Sequence, residues 1–405
     1  MSHLASVSPF EIPISHAMHG QEIEACEVSV VLPCLNESET IGTCVDKAVA
    51  ALRRAGLRGE ILVADNGSVD GSRQIAEAAG ARVINVSSRG YGSALLAGIS
   101  AAKGKFVIMA DSDDSYDLTQ IDAYVDKLRE GYDLVMGNRF RGTIAPGAMP
   151  FLHRYLGTPV LTTLAHIFFG SPCGDVNCGM RGMRREAILS LNLRSLGMEF
   201  ASEMLVKSSS FGLRIAEIPT NLAVDGRSTP PHLRTWRDGW RHLRFMLLYS
   251  PRWLFLYPGY LLMLLGTVLG AVLLTGDQHV GHISLGVNTL VYCSIMVFIG
   301  YQLVTFAVFT KIYAVSAGFI NKNARFDRIF NSVTLETGLA VAFLSVLIGL
   351  ALSVFAVWHW KETGFGHLDP SRSLRLVMPG VVFLGLGVQT IFSSFFLSVL
   401  GIGKR

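Results

Sequence analysis

Two aspartates, Asp111 and Asp113, close an apolar run that reads Phe-Val-Ile-Met-Ala from position 106. Along an extended segment side chains alternate between faces, so both carboxylates point the same way at the mouth of a strand. Hard oxygen donors at that spacing suit Mg²⁺ or Mn²⁺ and leave coordination positions open for a diphosphate. A lone Asp-x-Asp is more often a solvated loop after a strand, so its neighbours decide the reading.

Those neighbours form a repeating pattern. The β-branched run Val28–Pro33 is predicted to be a buried strand, and a helix follows from about Ser38, the expected cap, to Ala55. Glu60–Asp65, Ala81–Val86 and Lys105–Ala110 are further strands, with helices between them. Alternation at this spacing predicts an α/β fold with a mainly parallel sheet covered on both faces. Ligands of such sheets gather at the carboxyl ends of the strands. The polar stretches 33–37, 65–70, 89–92 and 111–113 all fall there. No Gly-x-Gly-x-x-Gly follows the first strand and no Walker-type Gly-Lys-Ser/Thr loop is present, which disfavours dinucleotide and P-loop chemistry.

The second half of the chain has a different composition. Leu254–Gly276, Gln278–Thr310, Thr337–Trp360 and Leu376–Gly403 contain no Asp, Glu, Lys or Arg. Each can supply the roughly 20 residues that cross a bilayer's hydrocarbon. Between the two halves, residues 232–245 mix arginine with Leu233, Trp236, Trp240 and Leu243 along one side of a helix, the pattern of a segment lying at the headgroup level. The expected division is a loosely ordered lead-in at 1–27, a catalytic domain at 28–230, an amphipathic juxtamembrane segment at 231–253 and a four-helix transmembrane domain at 254–405.

A formal net charge of +4 is too mild for a nucleic-acid binder. The six cysteines form no Cys-x-x-Cys pair, and free thiols in a reducing cytosol are expected. The connector Asp277–His282 lacks Lys and Arg, whereas the next holds Lys311, Lys322, Arg325 and Arg328 and the carboxyl end holds Lys404 and Arg405. This bias puts the catalytic domain and the C-terminus in the cytosol, at the plasma membrane in a bacterium. Lys361, Arg372 and Arg375 in the third connector run against it. The stretch Lys311–Leu335 is a candidate second amphipathic helix.

The ordered motifs resemble a family. Val-Ser-Val-Val-Leu-Pro-Cys-Leu-Asn-Glu at 28–37, Ala-Asp-Asn-Gly-Ser-Val-Asp-Gly-Ser at 64–72 and Asp-Ser-Asp at 111–113 resemble family-2 glycosyltransferases of the GT-A fold. Met-Gly-Asn-Arg-Phe at 136–140, Asp-Val-Asn-Cys-Gly-Met-Arg at 175–181 and the apolar tail are similar to polyprenyl-phosphate (dolichyl-phosphate) glycosyltransferases. The resemblance implies that Pro33, Glu37 and Asp65 line the nucleotide-base pocket, with Asn36 and Gly67 of the same loops beside them. It implies that Asp111 and Asp113 handle the metal and diphosphate. Members often carry Gln two residues after the Asp-x-Asp as a further metal ligand; Ser115 stands there. Asp175 lies in the loop that the resemblance assigns to the donor sugar.

The chemistry so implied is transfer of one sugar from a nucleotide sugar, UDP- or GDP-linked, to a polyprenyl phosphate, with inversion. A lipid monophosphate is already largely ionised at pH 7, since its second pKa is about 6, and needs cations to position it more than a base. Arg139, at a strand end, is the first candidate for that contact and Arg154 the second, with Arg181, Arg184 and Arg227 as further cations. Glu203, in the apolar helical stretch 198–211, is a candidate for sugar contact or for anchoring a loop, and pairing with Arg181 is the plainer role for Asp175. A processive polysaccharide synthase is the main alternative, but Tyr249 stands where its Gln-x-x-Arg-Trp motif needs Gln. A non-catalytic membrane scaffold is the alternative from another class. The bilayer is a partner in every case, and the sequence leaves room for an oligomer.

Overall fold

The computed structural model describes residues 26–228, 235–316 and 334–402. The expected lead-in therefore lies outside the described residues save Cys26 and Glu27. So do Leu233, most of the Lys311–Leu335 segment, and Lys404 and Arg405.

Four parallel strands open the chain: β1 (Val28–Cys34), β2 (Gly59–Asp65), β3 (Arg82–Asn85) and β4 (Phe106–Met109). The helices α1 (Ile41–Arg54), α2 (Ser72–Ala78), α3 (Tyr91–Ala101) and α4 (Ile121–Arg129) follow them in turn. The second half of the sheet is built from β5 (Leu134–Asn138), α5 (Thr158–Phe169), β6 (Arg181–Arg184), α6 (Arg185–Ser190), α7 (Phe200–Ser210) and β7 (Ile215–Pro219). The first helix starts later than its apolar pattern suggests: residues 38–40 form a turn, and Thr40 rather than Ser38 stands at the cap position.

The strand order is β3-β2-β1-β4-β6-β5-β7. Only β6 runs against the rest, paired antiparallel to both β4 and β5. This reversal has a positional effect: the start of β6 lies at the same sheet edge as the carboxyl ends of β1, β2, β4 and β5. Arg181 faces Met109 in the register, so the loop 175–180 arrives beside the Asp111 carboxylate. The chain also turns back between β1 and β4, the crevice where open α/β sheets bind ligands.

Alternation along each strand splits the core into two layers. Val30, Leu32 and Ile108 pack into one, with α1 and α4. Val31, Val107 and Met109 pack into the other, with α3, α5 and α7.

Beyond the sheet, α8 (Thr235–Tyr249) leads into a wide π-helical turn at Arg252–Leu256 and then α9 (Tyr257–Thr275). The remaining described helices are α10 (Val287–Ser316), α11 (Leu335–Glu362) and α12 (Pro370–Ile402). Among the described residues four stretches are long and apolar enough to cross a membrane: Arg252–Thr275, Val287–Val315, Leu335–Glu362 and Pro370–Leu400. The second span starts later than the uncharged run Gln278–Thr310 implied. Gln278–Val280 (β8) and Ile283–Leu285 (β9) form a small hairpin, turned at Gly281 with φ +60°, ahead of the helix. Lack of charge marked the run, but two short β segments turned at Gly281 hold the start of the helix back to Val287.

The spans pack closely through glycine. A Cβ on Gly259 would lie 2.8 Å from the Gly300 carbonyl oxygen, and one on Gly300 2.6 Å from that of Gly259, so α9 and α10 touch backbone to backbone. A hydrogen bond of 2.6 Å between the Tyr301 and Thr390 hydroxyls ties α10 to α12.

Candidate active site

One cleft of about 1200 Å³ opens at the carboxyl edge of the sheet. Pro33, Glu37, Asn66, Arg89 and Tyr91 line one end, and Asp111, Asp113 and Ser115 its floor. From there it runs between the segment 147–161 and α8, past Met149, Leu152, Leu156, Val160, Trp236 and Trp240. The cleft is thus polar at one end, and at the other large apolar side chains stand among His153, Arg237, Asp238 and Arg241.

Among the expected nucleotide residues, Pro33 and Glu37 lie on the wall, while Asn36, Asp65 and Gly67 stand behind it. Asp65 is buried, accepts the Gly67 N–H at 3.0 Å and pairs with Arg73 Nε at 2.6 Å. Asn36, at φ +57°, accepts the Val69 N–H at 2.9 Å. These contacts fasten the loops after β1 and β2 to each other. Asn66 extends the seam by accepting the Gly90 N–H at 2.6 Å and donating to the Ser88 carbonyl at 2.7 Å.

Asp111 accepts a hydrogen bond of 2.9 Å from the Tyr91 hydroxyl. Burial, then the negative charge of Asp113, push its carboxyl up to about 6. Ser115 donates its hydroxyl to Asp113 Oδ1 at 2.6 Å, and Arg227 Nη2 donates to Asp113 Oδ2 at 3.3 Å. The cluster continues to Glu37, which accepts from Arg227 Nη1 at 3.0 Å, and to Asp225, the other partner of Arg227. Burial raises Glu37 to about 7 although the Arg227 charge opposes it. Arg227 had been one of several spare cations in the sequence; the fold makes it the cation at the carboxylates. The backbone bond from the Gly226 N–H to the Asp113 carbonyl, 2.9 Å, delivers it there.

Two crowded, half-buried carboxylates fit a divalent cation. Among the described residues no three His, Cys, Asp or Glu side chains gather to hold one unaided. That set matches Mg²⁺-type sites, which take one or two carboxylates and complete the shell with water and substrate phosphates.

The donor-sugar and acceptor candidates are rearranged. Asp175 is fully buried and off the cleft wall, because it pairs through both oxygens with Arg139: Nε to Oδ2 at 2.6 Å and Nη2 to Oδ1 at 2.8 Å. Its partner is therefore Arg139, not Arg181. Arg181 is itself buried and gives its donors to the carbonyls of Cys178, Ala201 and Val176. Glu203 does not reach the cleft either. It accepts the backbone N–H groups of Arg194 and Ser195 at 2.9 and 2.7 Å and pairs with Lys207 at 2.8 Å, so it anchors a loop. Burying a carboxylate without such partners is costly, which is why these acids point inward to cations and amides. Arg139 remains on the wall; Arg154 does not, and its guanidinium lies over the Tyr155 ring, 5.6 Å from the centroid.

Phe151, Tyr155 and Trp236 are 74, 62 and 79% exposed, large apolar surfaces on neighbouring helical segments. Phe168, on α5, stacks on Trp253 at the start of the first span, 5.5 Å between ring centres. Helix α8 is docked through Met246, which is in the core, and through His242, whose Nδ1 is 2.7 Å from the Ser202 hydroxyl.

Comparison with known proteins agrees with this arrangement. Residues 29–191 match the glycosyl transferase family 2 domain, and residues 308–401 match the glycosyltransferase family 2 C-terminal transmembrane region. The low-salt glycan biosynthesis hexosyltransferase of Haloferax volcanii is 34% identical over 98% of this chain and 98% of its own length. A dolichyl-phosphate hexose transferase of the same organism is 32% identical over 48% of this chain and 81% of its own. An undecaprenyl-phosphate 4-deoxy-4-formamido-L-arabinose transferase of Klebsiella pneumoniae is 32% identical over 48% of this chain and 58% of its own. A GT-A-type sheet with its carboxylate-tipped strand, four membrane-length helices and a relative that matches end to end together make this chain an integral membrane glycosyltransferase of family 2.

Proposed function

We propose that this chain transfers a single sugar from a UDP- or GDP-sugar to the phosphate of a polyprenyl carrier, undecaprenyl or dolichyl phosphate, with inversion and with Mg²⁺ or Mn²⁺. The observation that carries the reading is the continuity of the cleft from Asp111 and Asp113 to the apolar slot beside Trp236 and Trp240. A prenyl chain needs apolar surface beside its phosphate, and Leu152, Leu156, Val160, Trp236 and Trp240 supply it. The names of the relatives from Haloferax and Klebsiella support a polyprenyl-phosphate acceptor.

The reaction breaks the bond between the anomeric carbon and the donor phosphate oxygen, which leaves with the electron pair, and forms a bond from an acceptor phosphate oxygen on the opposite face. The acceptor is largely ionised at neutral pH, so no base has to remove a proton. Asp111, Asp113 and Ser115 would hold the cation, which when bound stabilises the charge of the departing diphosphate. Arg227, seated against Asp113, adds positive charge on the same side. Arg139, oriented by Asp175, presents its remaining donors to the acceptor phosphate. Pro33 and Glu37 face the nucleotide, and the loops held by Asn36, Asp65 and Gly67 set their spacing.

In this reading residues 28–230 form the catalytic domain, 231–253 the juxtamembrane segment and 254–405 the transmembrane domain. The catalytic face and the C-terminus belong on the cytosolic side, where nucleotide sugars are made. The test is to incubate membranes containing the chain with labelled nucleotide sugars and undecaprenyl or dolichyl phosphate. Organic-extractable label that depends on the added lipid is the expected result. Long polymer, or no transfer from any donor, overturns the proposal.

A further inference from the structure

The Asp111 carboxylate is gripped from two sides by residues far from it in sequence. Tyr91, the first residue of α3, donates its hydroxyl to Asp111 Oδ1 at 2.9 Å. On the other side lies Gly179, where an added Cβ would stand 2.4 Å from Asp111 Oδ2 and 3.1 Å from the Tyr116 ring. Gly179 is fixed in turn, since its N–H donates to the Tyr116 hydroxyl at 2.7 Å. The approach of Tyr91 is equally constrained. Gly90 has φ +135°, and a Cβ there would meet the Leu196 carbonyl oxygen at 2.1 Å.

A phenylalanine would fill the space of Tyr91 as well, so packing alone gives no reason for the hydroxyl. What the hydroxyl adds is a fixed orientation for one carboxylate. The terminal torsion of an aspartate is soft and nearly two-fold, and an unheld carboxylate loses that freedom on binding a ligand. A partner that fixes it beforehand removes the cost, as outer hydrogen bonds do for metal ligands generally.

Resting on the metal-assisted reading above, we propose that Tyr91 is a positioning residue for the divalent cation and diphosphate, and that Gly179 is the shelf against which it sets the Asp111 carboxylate. The turn Gly90-Tyr91-Gly92 thereby links the wall of the nucleotide pocket to the metal carboxylate through one phenol. Gly92 is as tightly placed, with a Cβ position 2.3 Å from the Ser195 carbonyl oxygen, so the turn has little room to adjust.

The experiment uses the full chain in detergent and reads Mn²⁺ binding by electron paramagnetic resonance, with UDP and separately with GDP present. Tyr91→Phe is expected to bind Mn²⁺ about 10–100-fold more weakly, the range seen when an outer partner of a metal ligand is removed. Its melting temperature is expected to match the wild type. Gly179→Ala is expected to weaken Mn²⁺ binding further, by displacing Asp111. Unchanged Mn²⁺ affinity in Tyr91→Phe overturns the proposal. So does a loss that comes with a lower melting temperature, which assigns the hydroxyl to folding. Absence of Mn²⁺ binding by the wild type with both nucleotides removes the metal reading itself and this proposal with it, and is told apart because it precedes any substitution.

Discussion

Arg227 and Glu37 are 190 residues apart in the chain, yet Arg227 Nη1 donates to Glu37 Oε1 at 3.0 Å. The same guanidinium reaches Asp113, so one side chain joins the loop after β1 to the tip of β4. Replacing it removes the cation shared by Glu37, Asp113 and Asp225 and takes positive charge from the leaving-group side. Arg227→Met is expected to lower the transfer rate about 100-fold or more, on the scale of losing one preorganised electrostatic contact. Arg227→Lys should recover only part of it, because an ammonium cannot span both acids as a planar fork does. Initial rates with labelled nucleotide sugar measure both.

Metal removal gives a separate expectation. A chelator should abolish transfer by the wild type, and Mn²⁺ or Mg²⁺ should restore it. Asp113→Ala should stay inactive at any metal concentration. Unchanged transfer by Asp113→Ala would place the site elsewhere.

Arg139 and Asp175 predict a stability effect. Asp175→Asn leaves a buried guanidinium without its counter-charge, a change that typically costs about 3–5 kcal/mol. A marked fall in melting temperature is expected, larger than for Lys127→Ala, whose ion pair with Glu130 is exposed.

The pH response of α8 follows from His242. Burial, then the charge of Arg181, push its pKa from 6.5 down to about 4, against the opposing pull of Asp238 and Glu199. Between those values the unfolded chain takes up a proton that the folded chain refuses. The stability tied to this side chain is therefore complete above pH 6.5 and falls as pH drops towards 4, by up to about 3 kcal/mol. His242→Gln, which keeps a hydrogen-bonding group near Ser202, should flatten the melting temperature of the detergent-solubilised protein over that window relative to the wild type.

The apolar end of the cleft can be probed by kinetics. Trp240→Ser and Leu156→Asn are expected to raise the apparent KM for the polyprenyl phosphate about tenfold each, the equivalent of some 1.4 kcal/mol of lost contact. The KM for the nucleotide sugar should not move. Equal effects on both substrates would argue that these side chains only shape the domain.

Much of this could be read from residues alone, and the limit has a physical cause. Strand ends are written locally, so the loops at 33–37, 65–70 and 111–113 declared their common edge before any coordinates. The four membrane-length helices declared themselves by length and lack of charge. Pairing between distant charges is not local. Nothing near Asp175 says that its partner is Arg139, or that Glu203 turns inward to the 194–195 amides, because both follow from where the reversed strand β6 and helix α7 are set down. The tryptophans of α8 declared an amphipathic helix, but the 147–161 segment that faces them across the slot is distant in sequence, so the slot itself was not written locally.

Helix α8 encloses the cleft with Trp236 and Trp240 and fastens to α7 through His242, and the polypeptide then passes directly into the first span. Anchoring and enclosure are consequently a single piece of the molecule. A chain cut ahead of Thr235 would keep its sheet and its acidic tip but become a trough open along one flank. Such a fragment would still have the means to grip a nucleotide, while the greasy substrate would find no second bank to lie against.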